Sequence, residues 1–149
     1  MTTLRLNIPI DTIIDDAINQ CSQDFRGLRI LKPEVDITFT DFVMTPDDKT
    51  ALANEIKSIV SSVYQSIKGY VCQWYIDTEE VCFYLRTPAD SVALESTFKD
   101  VVVYSLLSWW YEPRIGDLAV VYRDKAALQL SALISSVYPK FSKRRLRMF

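Results

Sequence analysis

Side chains suited to acid–base or metal chemistry are sparse and poorly grouped in this chain. There is no histidine, which removes the commonest general base and metal ligand, together with every serine or cysteine scheme that needs an imidazole. Adjacent carboxylates occur at Asp15-Asp16, Asp47-Asp48 and Glu79-Glu80, and such pairs can bind a divalent cation. Two of the pairs fall in or near expected first helical turns, where the helix dipole accounts for them, and the third sits at an expected hairpin tip. Asp15-Asp16-Ala17-Ile18-Asn19 has the outline of an aspartate-rich magnesium motif, but no second acidic cluster of matching type follows. Cys21, Cys72 and Cys82 lie 51 and 10 residues apart, a spacing unlike that of zinc sites, and they read as small apolar packing residues. Three glycines leave no phosphate-cradling loop. No catalytic residue, metal or cofactor is expected, and the chain reads as a non-enzyme.

Aromatic residues are the remaining candidates for a site. Trp109, Trp110, Tyr111 and Tyr122 gather around an expected turn between the last two helices. Neighbouring residues on a helix point about 100° apart, so Trp109 and Trp110 cannot easily share one pocket and one of them is expected to face a partner. Tryptophan, tyrosine and arginine are the usual anchors of protein interfaces, which makes Trp110, Tyr111 and Arg114 the candidates for an oligomer interface.

These residues hang on the stretch Val101 to Tyr111, which is apolar or aromatic except at Ser105 and Ser108. A helix that is apolar all round must be covered on all sides, by its own chain or by other subunits. It is too short for a bilayer, which needs about 20 apolar residues, and Lys99-Asp100 closes its N-terminal side. Thr87, Pro88 and Asp90 predict the start of this helix as cap, first position and first-turn acid, and Pro113 predicts its stop at Glu112.

Upstream, Leu4 to Ile10 alternates as a half-buried strand, at an edge or ending at Pro9. A helix capped by Asp11 or Thr12 should carry Ile13, Ile14, Ala17, Ile18 and Cys21 on one face and end near Gly27. Leu28–Leu31 and Val35–Thr40 read as two short strands around Pro33. Thr45-Pro46-Asp47-Asp48 opens a helix to about Lys68, striped by Leu52, Ile56, Ile59, Val60, Val63, Tyr64 and Ile67, with Gly69 as its C-terminal cap. Residues 71–76 and 81–86 form a hairpin around Asp77-Thr78-Glu79-Glu80. With Ile76 opposite Val81, Cys72, Trp74, Ile76, Val81, Phe83 and Leu85 share one apolar face. A last helix runs from about Asp117 to Tyr138 with a stripe of Leu118, Tyr122, Ala126, Leu130, Leu133 and Val137, widened by Val121 and Leu128. The fold class is α+β and helix-dominated: about four helices, three of them long or moderately long, with a small mostly antiparallel sheet that includes the hairpin at 71–86. At 149 residues, a single domain over 1–139 is expected, followed by a tail over 140–149.

Charge separates that tail from the body. Residues 1–124 carry eleven basic and nineteen acidic residues, net −8, whereas residues 125–149 carry six basic residues and no acid, net +6. Most of the positive charge lies in Lys140, Lys143, Arg144, Arg145 and Arg147, interleaved with Phe141, Leu146, Met148 and Phe149. A terminus kept only for solubility gains nothing from four large apolar residues, so this one reads as a docking segment. The opening MTTLRLNIPIDT lacks the basic segment, apolar run and cleavage site of a secretory leader, which predicts a protein that stays in the cytoplasm where it is made.

A long helix ending Leu106-Leu107-Ser108-Trp109-Trp110-Tyr111, a short break, a second helix opening Gly116-Asp117-Leu118-Ala119 with Tyr122, and the tail Lys143-Arg144-Arg145-Leu146-Arg147-Met148-Phe149 together resemble the small head-to-tail connector proteins of tailed bacteriophages. Within these the likeness is greatest to the neck or ring proteins of crAss-like phages, over residues 87–149. The resemblance implies a structural virion protein of the neck, made in the host cytoplasm. It implies a homo-oligomeric ring, commonly of twelve copies, below the portal protein and beside other neck or tail rings. The C-terminal segment, here 140–149, would anchor in the adjacent ring, while double-stranded DNA passes through the channel without specific binding. An acidic lumen suits such passage because it does not grip phosphates. No membrane partner is expected. The alternative reading is a small nucleic-acid-binding protein, with Phe141 and Phe149 stacking on bases and Arg144, Arg145 and Arg147 on phosphates; the acidic body and pI near 5.1 argue against it.

Overall fold

The computed structural model describes residues 3–31 and 42–138. Within them the elements are β1 (Thr3–Pro9), α1 (Ile10–Leu31), a 3-10 turn (Pro46–Asp48), α2 (Lys49–Ile67), a second 3-10 turn (Lys68–Tyr70), β2 (Val71–Ile76), β3 (Glu80–Arg86), α3 (Ser91–Tyr111) and α4 (Gly116–Val137). The fold is α+β and helix-dominated, with four helices and a three-stranded antiparallel sheet among the described residues.

The sheet order is β1-β3-β2, so among the described residues β1 and β2 are its edges. Ile76 pairs with Val81 in the hairpin, and Leu6 and Ile8 of β1 lie opposite Phe83 and Val81. Asp77 holds the hairpin tip, its Oδ1 accepting the backbone N–H groups of Glu79 and Glu80 at 2.8 Å each. Those two bonds hold the Asp77 carboxyl below its ordinary value, so their support to the tip is present near neutrality and is lost as pH falls through the depressed value. Cys72 does not join the apolar face. A bulge between Val71 and Gln73 makes Cys72 the extra residue and sets Val71 opposite Leu85, which leaves Cys72 exposed and Val71 packed on the core.

The all-apolar helix, α3, is covered by its own chain. Leu94, Phe98, Val101, Val102, Val103, Leu106 and Leu107 are buried around its whole circumference, among α1, α2, α4 and the sheet. Aromatic rings run from α2 through the sheet into it: Tyr64 stacks on Trp74, Trp74 on Phe83, and Phe83 meets Phe98, with centroids 5.0, 5.4 and 5.2 Å apart.

Several element ends differ from the sequence reading. The first helix begins at Ile10, directly after Pro9, and the Ile10 N–H donates to the Glu79 carbonyl across the hairpin tip; Asp15 and Asp16 therefore lie beyond its first turn. It also runs through Gly27 to Leu31, so Leu28–Leu31 is helix, not strand. Leu28 packs against the core from that helix, which outweighs the glycine. The proposed strand Val35–Thr40 lies outside the described residues. Gly69 adopts no left-handed cap; a 3-10 turn ends α2 instead. Thr87 does not cap α3, which starts three residues later than its signal suggests, after Asp90. The buried Thr87 hydroxyl instead accepts the Ala89 N–H and donates to the Val137 carbonyl at 3.0 Å, tying the entry of α3 to the exit of α4.

Gly27 offers a direct test of the longer helix. A Cβ built there meets nothing within 4 Å, and alanine is favoured over glycine inside a helix by about 0.5–1 kcal/mol. Gly27→Ala should stabilise the protein by about that amount in urea unfolding. A destabilised variant would mean that the helix ends at residue 27.

Candidate functional site

The polar chemistry of the described residues gathers where α1, the end of α3 and the start of α4 meet. Asp24 of α1 accepts hydrogen bonds on one carboxylate oxygen from the hydroxyls of Tyr111 and Tyr122, at 2.8 and 2.5 Å, and on the other from the Gln20 amide at 3.1 Å. The two tyrosine rings stack with centroids 5.7 Å apart. Phe42 closes the cluster: its carbonyl accepts the indole N–H of Trp110 at 2.7 Å and the thiol of Cys21 at 3.4 Å, and its ring leans on Tyr111 and Phe25. On the solvent side the Lys125 ammonium lies 5.1 Å from the Tyr122 ring centre and 5.8 Å from that of Tyr104.

Electrostatics suit this cluster to holding α1, α3 and α4 together, because its phenols and thiol are kept in their protonated forms. Burial, the neighbouring Cys21 and the Asp24 carboxylate push the Tyr111 hydroxyl far above its ordinary value; burial and Asp24 do the same to Tyr122. Both phenols stay protonated near neutrality and act as donors, not bases. Burial likewise raises the Cys21 thiol, which keeps it from being a thiolate nucleophile. Among the described residues no group of three or more Cys, Asp or Glu side chains is placed to hold a metal ion.

The three interface candidates from the sequence are placed very differently from one another. Tyr111 is wholly buried and Trp110 is 6% exposed, because both rings are absorbed by the Asp24–Phe42 cluster; they offer no outward aromatic surface. Trp109 is the partly exposed ring of the pair, at 36%. Arg114 is exposed but already engaged: its guanidinium lies 3.6 Å from the Trp110 ring centre and donates to the Trp110 carbonyl at 2.8 Å. The tail residues Lys140, Phe141, Lys143, Arg144, Arg145, Leu146, Arg147, Met148 and Phe149 lie outside the described residues.

Sequence reasoning missed Asp24, although a signal existed. The apolar stripe of α1 through Ala17 and Cys21 continues at helical spacing onto Asp24, and a carboxylate on a core-facing stripe needs buried donors. On α4, Val121 and Leu128 do not widen the buried stripe. They stand 46% and 71% exposed, seven residues apart and so on one outward face two turns long, with Val120 beside them.

No protein-family model, curated protein or solved structure matches this chain. No helix among the described residues is long and apolar enough to cross a membrane.

Proposed function

We propose that this chain is a structural subunit of a head-to-tail connector ring in the neck of a tailed bacteriophage, assembled in the host cytoplasm and retained in the virion. The observation that carries the reading is the outward apolar face of α4. Val120, Val121 and Leu128 stand exposed on α4, outside the buried cluster of the described residues, and an exposed apolar strip of this kind is stabilised when another subunit covers it. The antiparallel pair α3–α4, closed around Pro113, is the element on which the resemblance to connector proteins rests. Its acidic body and basic tail supply the two unlike patches that head-to-tail ring contacts need. The tail would anchor the ring to the portal protein or to an adjacent neck ring, and DNA would pass an acidic lumen without being gripped.

Native mass spectrometry of the full chain, alone and with its neighbouring particle proteins, tests this reading. A closed ring is expected, and Leu128→Lys should weaken it at least tenfold while leaving the unfolding free energy within about 1 kcal/mol of the parent, because the residue is exposed. A chain that stays monomeric with every particle component, and that retains DNA in a filter assay through its tail, would replace the connector reading with the nucleic-acid one.

A further inference from the structure

Between α2 and α4, floored by Val101 and Ser105 of α3, runs an open groove of about 340 Å³. Its walls are small or apolar, with Ile59 and Ser62 on one side and Ala127 and Leu130 on the other. Glu55 stands at one end. Its carboxyl is raised by burial, and no lysine or arginine pairs with it among the described residues. Beyond the other end, outside the groove's own lining, Tyr138 borders a neighbouring cavity with Pro88 and Leu94. Its hydroxyl donates to the Ser66 carbonyl at 3.3 Å and its ring meets Tyr70 edge-on, centroids 4.5 Å apart. Ser66 is one helical turn beyond Ser62, so the chain leaves α4 about one turn past the end of the groove.

Eleven residues follow, beginning with Pro139, which cannot extend the helix inward from its own position. Extended chain advances about 3.3 Å per residue and helix about 1.5 Å. Measured from the Tyr138–Ser66 contact, a segment turned back along the groove would bring Phe141 about 10 Å in, level with Ile59 and close to Leu130. Lys143 and Arg144 would then reach about 16–20 Å in, level with Glu55. In that register an apolar side chain would meet the apolar wall and a cation would meet a carboxylate that has no cationic partner among the described residues. Because the segment is tethered about one turn past the end of the groove, its effective concentration in the groove is of millimolar order, which favours the chain's own tail over that of a second copy.

We propose that the groove between α2 and α4 is the resting site of this chain's own C-terminal segment, with Phe141 seated between Ile59 and Leu130 and Lys143 or Arg144 paired to Glu55. The inference does not depend on the connector reading. If both hold, the groove shields the tail's apolar residues until a neighbouring protein competes for them.

The full-length protein tests this with two readouts. Phe141→Ser should shift the backbone NMR resonances of Ile59, Ser62, Ala127 and Leu130 while leaving those of the sheet in place. It should also speed tryptic cleavage after Lys143 to Arg145 about tenfold or more, the factor expected for losing one buried aromatic side chain. Glu55→Lys should accelerate the same cleavage, and combining it with Lys143→Glu and Arg144→Glu should restore slow cleavage at Arg145. Groove resonances indifferent to Phe141→Ser, cleavage as fast in the parent as in the variants, or protection that disappears on dilution and so comes from a second copy, would each overturn the proposal.

Discussion

Alanine at both Trp110 and Tyr111 is expected to unfold the domain. Each ring is buried in the chain's own core, and truncating a buried aromatic to alanine costs about 3–5 kcal/mol. The two rings share Phe42, so the costs will not add fully. Even so, the pair approaches the 5–15 kcal/mol that holds a typical domain together. The indole N–H bond to the Phe42 carbonyl and the hydroxyl bond to Asp24 are lost with them. Circular dichroism should report loss of the cooperative melt at 25 °C or a large fall in its midpoint. Trp109→Ala, at a ring one third exposed, should shift stability by no more than about 1 kcal/mol. A double variant that melts like the parent and fails only to associate would return these rings to an interface.

Asp24→Ala should cost about 2–4 kcal/mol, more than its loss of volume explains. The carboxylate is the acceptor for both Tyr111 and Tyr122, and removing it strands two hydroxyls in a poorly solvated site at about 1–3 kcal/mol each. The signature is non-additivity. Placing Tyr111→Phe and Tyr122→Phe into the Asp24→Ala background should recover part of the loss, because no stranded donor remains, whereas the same two changes in the parent should destabilise. Urea midpoints at constant slope measure all four corners of the cycle. If the phenylalanines add to the damage of Asp24→Ala, the hydroxyls were not waiting on that carboxylate.

Where periodicity governed burial, the sequence was a reliable guide. Leu52, Ile56, Val60, Val63 and Ile67 lie buried on α2 as their spacing requires, and Ile76 meets Val81 in the hairpin. The misread places share a physical cause: local signals lost to contacts far away in the chain. Thr87 looks like a cap, yet its hydroxyl is claimed by Val137, fifty residues on. Gly27 looks like a stop, yet the packing of Leu28 carries the helix through it. Cys72 shows how one inserted residue in a strand exchanges which neighbour faces the core, something alternation alone cannot foresee. The Asp24 latch joins residues 87 and 98 positions apart, and no short-range pattern announces such a pairing.

Among the described residues neither β1 nor β2 has a further strand on its outer side, and this bears on how copies of the chain could meet. An unpaired strand edge is a template for another strand, and such templates lead to aggregation unless something interrupts them. Here β1 ends in Pro9, which lacks the N–H a new partner would need, and carries the cation Arg5 along its length. The bulge at Cys72 breaks the hydrogen-bonding rhythm of β2 on the opposite side. Each edge is thus blunted by a different local device, and strand-to-strand growth is disfavoured in both directions. If copies associate, the helical surfaces are favoured over these two strands, because side-chain shape and charge then decide which partner fits, whereas backbone pairing would accept almost any sequence.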